Sequence, residues 1–309
     1  SIATDPTNGV IVSINSSEIT YEPNDYFAGT DTYEYEICDK TVPTRACVTE
    51  TVTIDISNSD ITSSEDSGSL RKSTDVVSNN VVIDVAVNDN DPDGLDDIDL
   101  ATITIVVEPE NGEVVAISST DGTIDYRPDP YFAGTDILTY EICDKTYPVA
   151  SCTQSEVEIT VINAEVILTE DAGVVPKKTV VEDRSITINV VENDSDPDGV
   201  DDLNISSLVI TTEPEFGEIT EIDNINGTIV FAPTVNFAGS DSFVYELCDK
   251  SYPLPSCSTA VVSITVQNGD TQGNTDVLAA SKNTSEETAV NIVNAVSYTH
   301  LRAHETRYD

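Results

Sequence analysis

Two stretches of the chain carry the residue types and spacing to hold a hard cation. Asp89-Asn90-Asp91-Pro92-Asp93-Gly94 and Asp194-Ser195-Asp196-Pro197-Asp198-Gly199 each place carboxylates at i, i+2 and i+4. Calcium takes about six to eight oxygens at about 2.3–2.6 Å, so a tight loop delivering carboxylates and carbonyls suits it. The opening D-x-D-x-D-G matches an EF-hand loop. The twelfth position does not, being Leu100 or Ile205 in place of Glu, and no helical period flanks either loop. An EF-hand is therefore excluded, and a calcium turn within a β protein remains. Asp, Asn, Pro and Gly also make plain turns. A plain turn gains nothing from crowding like charges, however, and Asp96, Asp97, Asp201 and Asp202 crowd them further.

A second chemistry belongs to the cysteines. They fall as Cys38/Cys47, Cys143/Cys152 and Cys248/Cys257, always within C-D-K-[TS]-[VY]-P-x-x-x-C. Many pairings are open to six cysteines, but a constant local spacing favours three local disulfides. Zinc is the rival, and it wants four N or S ligands where each pair offers two thiolates and no His. Disulfides imply an oxidising, extracytoplasmic compartment.

Other chemistries find no support. Both histidines, His300 and His304, lie in an anomalous tail, so Ser-His and Cys-His relays have no base elsewhere. No Gly-rich phosphate loop occurs, and carboxylate pairs carry little information among 57 acidic residues. No enzyme is expected. With 13 Lys and Arg, the net charge is −44, which excludes nucleic acid as a partner and disfavours anionic membranes. No apolar run approaches the roughly 18 residues of a membrane span, and no signal peptide opens the chain. The absence of Met marks the chain as a fragment or processed product.

The elements that must position these groups recur. NDYFAGTDTYEYEICDK begins at Asn24, DPYFAGTDILTYEICDK at Asp129 and VNFAGSDSFVYELCDK at Val235. Gly29, Gly134 and Gly239 step by 105, as do Asp91 and Asp196. The chain divides into a partial repeat (1–57), two full repeats (58–162 and 163–267) and the start of a fourth (268–295). Within repeat two, runs at 81–87, 101–107, 113–118, 123–127, 136–142 and 155–161 are short, β-branched and alternating. They are bounded by turn chemistry such as NDNDPDG, STDG and CDKTYP. With a short first strand within 70–79, this predicts an all-β fold of tandem Greek-key sandwiches with seven strands per repeat. The aromatic fraction of 6% suits several small cores.

Residues 296–309 are set aside. VSYTHLRAHET, at 296–306, is the translation of a common transposon-type sequencing adapter, and such scars are excluded from fold reasoning. The net charge is unchanged without them.

The NDxDPDG loop, the FxGxDxFxY strand and the closing xVTITV strand together resemble bacterial cadherin-like and Ig-like tandem repeats. The C-D-x-x-x-P-x-x-x-C hairpin is similar to that of Bacteroidota-type members. The resemblance spans about 1–295 and implies a Greek-key sandwich, export, calcium binding and adhesive or spacer roles. In such a sandwich the second-to-third and sixth-to-seventh connections lie where the chain enters. Asp144 and Asp249 open the latter connection, and the entering linkers carry Asn58/Asp60 and Asn163/Glu165. The expected calcium ligands are Asp89, Asp91, Asp93, Asp60 and Asp144 at one junction, and Asp194, Asp196, Asp198, Glu165 and Asp249 at the next. The expected function is a calcium-rigidified stalk of an extracellular bacterial adhesin or large secreted protein, with neighbouring repeats as its partners. The alternative is an accessory module binding a cell-surface protein or glycan. Without Trp a flat sugar platform is disfavoured, though Tyr26, Tyr131 and Tyr147 are available.

Overall fold

The computed structural model describes residues 1–75, 79–179 and 184–268. The expectations for 269–309, a fourth repeat begun and then an adapter scar, lie outside the described residues. Among the described residues no helix is long and apolar enough to cross a membrane.

The first repeat supplies β1 (Ile2–Thr4), β2 (Gly9–Ile14), β3 (Ile19–Pro23), β4 (Gly29–Cys38) and β5 (Cys47–Ile56). The second supplies β6 (Asp66–Arg71), β7 (Val81–Asp84), β8 (Ile98–Val107), β9 (Gly112–Ser118), β10 (Thr123–Pro128), β11 (Gly134–Asp144) and β12 (Cys152–Ile162). The third supplies β13 (Asp171–Pro176), β14 (Ile186–Asn189), β15 (Leu203–Thr212), β16 (Gly217–Asp223), β17 (Thr228–Pro233), β18 (Gly239–Asp249) and β19 (Cys257–Gln267). Repeats two and three are each a sandwich of a four-stranded and a three-stranded sheet. Their orders are β6-β12-β11-β8 over β7-β10-β9, and β13-β19-β18-β15 over β14-β17-β16. In each, the first strand runs parallel to the last, and the other pairings are antiparallel.

Period-two alternation builds the cores. On β11 and β12, Leu138, Tyr140, Ile142, Val157 and Ile159 turn inward, meeting Val85, Ile124 and Tyr126 from the opposite side. Phe243, Tyr245, Leu247, Val262 and Ile264 do the same in repeat three. A buried phenol needs a hydrogen-bond acceptor. Tyr140 finds Val85 O at 2.8 Å, and Tyr245 finds Val190 O at 2.9 Å, each tying the sheets together. The Asp of the F-A-G-T-D motif is structural as well. Asp136 accepts the N–H groups of Glu110 (3.0 Å) and Asn111 (2.9 Å) and the Tyr126 hydroxyl (2.8 Å), pinning the turn before β9.

One strand lies elsewhere than expected. The first strand of repeat two is β6, starting at Asp66 and ending at Arg71, whereas the sequence placed it within 70–79. DSGSLR has poor strand propensity, so its pattern is weak. The ladder to β12, from Val157↔Asp66 to Ile162↔Arg71, imposes the extended form, an instance of context overriding propensity.

Successive repeats are clasped by two loops. The turn after β3 carries Tyr26 at φ 60°, an unusual conformation for a bulky residue. It aims the Tyr26 carbonyl at the Tyr147 N–H (3.0 Å), while Ala28 N–H donates to Tyr147 O (3.1 Å). The Phe27 and Tyr147 rings sit 5.5 Å apart. The pattern recurs 105 residues on. Tyr131 has φ 66°, Tyr252 N–H donates to Tyr131 O (3.1 Å) and Ala133 N–H to Tyr252 O (3.0 Å). There Phe132 and Tyr252 lie 5.6 Å apart. The lysine ammoniums of Lys145 and Lys250 cap the Tyr26 and Tyr131 rings at 5.2 and 5.4 Å. The tyrosines weighed as a sugar platform are thus engaged between repeats.

Candidate cation sites at the repeat junctions

Three connections converge beside each clasp: the linker into the repeat, the Asp-rich loop, and the turn between the last two strands. At the first junction the linker is stitched on by side chains. Asn58 Nδ2 donates to Asp144 Oδ2 (2.7 Å) and Thr146 Oγ1 to Asn58 Oδ1 (2.8 Å). Ser59 N–H donates to Asp93 Oδ2 at 2.7 Å, and Thr62 pairs with Asn90 as a β-bridge. Asp144 Oδ1 accepts the N–H groups of Thr146 (3.1 Å) and Ser151 (2.9 Å), which shapes the turn after the first cysteine. The second junction repeats these bonds through Asn163, Asp249, Ser251 and Ala164.

Within this frame Asp91, Asp93 and Asp97 bring ligand oxygens within 4.8 Å of one another. Asp91 is 4% exposed, and its Oδ1 accepts the Asp93 N–H at 2.8 Å. Its Oδ2 is buried without a hydrogen-bond partner. Burial raises the carboxyls of Asp91 and Asp97 above the usual range, and the charges of Asp144 and Asp93 act in the same direction on both. A buried carboxylate without partner or cation is costly. Oxygen ligands, burial and an orphaned oxygen fit calcium at this junction. A cleft of about 480 Å³ opens beside it, lined by Asp93, Asp96, Asp97 and the Tyr26 turn.

At the second junction Asp196, Asp202 and Asp249 form the corresponding group. Asp198, unlike its exposed counterpart Asp93, is also buried. The segment after β6 covers it. Thr74 N–H donates to Asp198 O (2.9 Å), and Thr74 lies against Gly199, whose φ is +150° and where any Cβ would overlap the threonine. The ammonium of Lys72 enters this group, paired with Asp202 and hydrogen-bonded to Ser251 Oγ. Asp198 Oδ2 and Asp249 Oδ2 lie 3.8 and 3.9 Å from it.

The structure assembles some of the expected ligands and not others. Asp91 and Asp93 join the first group, with Asp144 beside them. Asp196 and Asp249 join the second, with Asp198 beside them. Asp60 and Glu165 are exposed, and Asp60 accepts only the Ser151 hydroxyl, at 3.1 Å, among the bonds formed there. Asp89 and Asp194, the first acids of their loops, turn inward instead. Asp89 accepts the Tyr140 hydroxyl at 3.2 Å, and Asp194 the Tyr245 hydroxyl at 2.9 Å. Each faces the acid that opens the first strand of its repeat. Burial, with that neighbour's charge adding, pushes Asp66 and Asp171 up to about 6. Asp97 and Asp202 are ligand candidates that sequence reasoning passed over, though their 105-residue step was visible. Lys72 was passed over too, and Lys177 keeps its step.

The cysteines meet as cross-strand partners at the ends of β4/β5, β11/β12 and β18/β19. The bridges are Cys38–Cys47, Cys143–Cys152 and Cys248–Cys257, and among the described residues no cysteine is free. Closing so short a loop stabilises a repeat by about 2.7 kcal/mol in the chain-entropy account.

Comparison with solved structures finds an endo-fucoidan hydrolase, MfFcnA4 from glycoside hydrolase family 107. Its identity is 18%, its TM-score 0.27, and the match covers 87% of this chain and 38% of that one. Drosophila N-cadherin EC1-3 matches at 12% identity and TM-score 0.30, covering 86% of this chain and 88% of that one. Mouse clustered PcdhgC3 EC1-3 matches at 11% and 0.27, covering 84% and 86%. No curated protein matches. The family model for the bacterial Ig domain matches residues 1–55, 58–160 and 165–265. With three such matches in tandem, the chain belongs to the bacterial Ig domain family.

Proposed function

We propose that these repeats form a calcium-stiffened spacer of an exported bacterial surface or secreted protein, and that they hold other domains apart without catalysing a reaction. The observation that carries this reading is the buried, unpartnered Oδ2 of Asp91 within the Asp91/Asp93/Asp97 group, where two repeats meet. Asp91, Asp93 and Asp97 would hold the ion, with Asp144 beside them. Calcium, when bound, supplies the positive charge these carboxylates lack. The disulfides and the bacterial Ig family support an extracytoplasmic setting.

Calorimetry tests the reading. An ion that binds only the folded state at a Kd of about 0.1 mM adds about 2.7 kcal/mol at about 10 mM calcium. Asp91→Asn with Asp97→Asn should remove that gain while leaving the metal-free chain at least as stable, because two mutually repelling charges go. A calcium gain unchanged by the double substitution refutes the site.

A further inference from the structure

The second acidic group already contains a cation. Lys72 is 2% exposed and lies among Asp198, Asp202 and Asp249, which are 3%, 0% and 1% exposed. It belongs to repeat two and the acids to repeat three, so the contact crosses the junction. Its backbone is held on both sides, Lys72 N–H donating to Ile162 O at 2.8 Å and Thr74 N–H to Asp198 O at 2.9 Å. Among the described residues no Lys or Arg comes within ion-pair distance of Asp91, Asp93 or Asp97.

We propose that Lys72 is a tethered cation that takes calcium's place at the second junction, so that this junction closes without metal. An ammonium and a divalent ion repel each other and would compete for the same oxygens of Asp202 and Asp249. An ammonium carries three donors and reaches only a few acceptors: Lys72 pairs with Asp202 and hydrogen-bonds Ser251, while Asp196 Oδ2 and Asp198 Oδ1 stay buried without a hydrogen-bond partner. Tethering also removes the concentration dependence of a free ion, because the lysine is always present at the site. Lys177 repeats the backbone part of this arrangement, its N–H donating to Gln267 O at 2.9 Å as that of Lys72 does to Ile162 O.

What the lysine would displace rests on the calcium reading above, and one background separates the two. In the full chain carrying Asp91→Asn and Asp97→Asn, the first site is disabled. Calcium titrated calorimetrically into that chain should show no site, and adding Lys72→Met should create one. Binding while Lys72 is in place overturns the proposal, as does a Lys72→Met chain that gains no site. If the parent chain binds no calcium but the Lys72→Met chain gains a site, the lysine's role stands and the calcium reading of the first junction fails.

Should Lys72→Met not fold, amine labelling of the native chain decides. Lys72 should react with formaldehyde and cyanoborohydride at least about tenfold more slowly than the exposed Lys40, since reaction requires the junction to open. That protection should be equal in EDTA and in 10 mM calcium. Faster labelling of Lys72 in calcium would mean that the ion displaces it, and would overturn the proposal.

Discussion

Asp66 and Asp171 are, among the described residues, the carboxyls whose titration the fold most alters. Both carboxyls are pushed from an ordinary 3.8 up to about 6 by burial, with Asp89 or Asp194 beside them. A pKa raised in the folded state contributes stability that is complete below the unfolded value and lost as pH rises through about 6. The raised carboxyls of Asp91, Asp97 and Asp196 act in the same sense. In EDTA the melting temperature should therefore climb as pH falls from 7 to 5. Asp66→Asn with Asp171→Asn should flatten the part of that climb centred near pH 6. A melting temperature that is flat or falls over this range contradicts the assignment. At this scale the sequence was partly legible. The D-x-D-P-D-G spacing placed Asp91, Asp93, Asp196 and Asp198 at the junctions. It also made Asp89 and Asp194 look equivalent to them. A loop's spacing does not say which side of the sheet each carboxylate faces, and only a packed Tyr140 or Tyr245 hydroxyl sends the first one inward. Lys72 was illegible because its partners lie 126 or more residues away, on the next repeat.

The elements were more legible than their contacts. Alternation and turn chemistry placed most strands of repeat two because β-branched runs between Gly, Asp and Pro have few other uses. Strand β6 escaped because Gly and Ser disguise it. The clasp escaped for a different reason. Y-F-A-G and C-D-K-T-Y-P each read as local turns, and nothing in either names the other as its partner. The clasp makes a prediction of its own. Tyr147→Ala removes the ring facing Phe27 but keeps the backbone bonds, and aromatic pairs contribute about 0.5–1.5 kcal/mol beyond the area they bury. Denaturant unfolding should show repeat one losing about 1–2 kcal/mol, or separating as an earlier transition, while repeats two and three are unaffected. Loss spread equally over all the repeats would show that the clasp does not act at one junction.

At the scale of the molecule, a net charge of −44 pushes the repeats apart. Screening at about 0.15 M salt has a length of about 8 Å and reaches buried charges much less than exposed ones, so the acids buried together at a junction still repel. The disulfides, the core tyrosines and the clasps hold each repeat and its neighbour by fixed bonds, and on the proposed reading the first acidic group leaves its charge to a diffusible ion. The account turns on what that ion does to the first junction. Small-angle X-ray scattering of the described repeats, 1–268, at constant ionic strength tests it most directly, with magnesium and sodium as controls for screening. The account predicts that 10 mM calcium lengthens the maximum dimension and sharpens the folded, rigid profile relative to EDTA, and that Asp91→Asn with Asp97→Asn makes the profile indifferent to calcium. Superimposable profiles of the parent chain in calcium and in EDTA would contradict it.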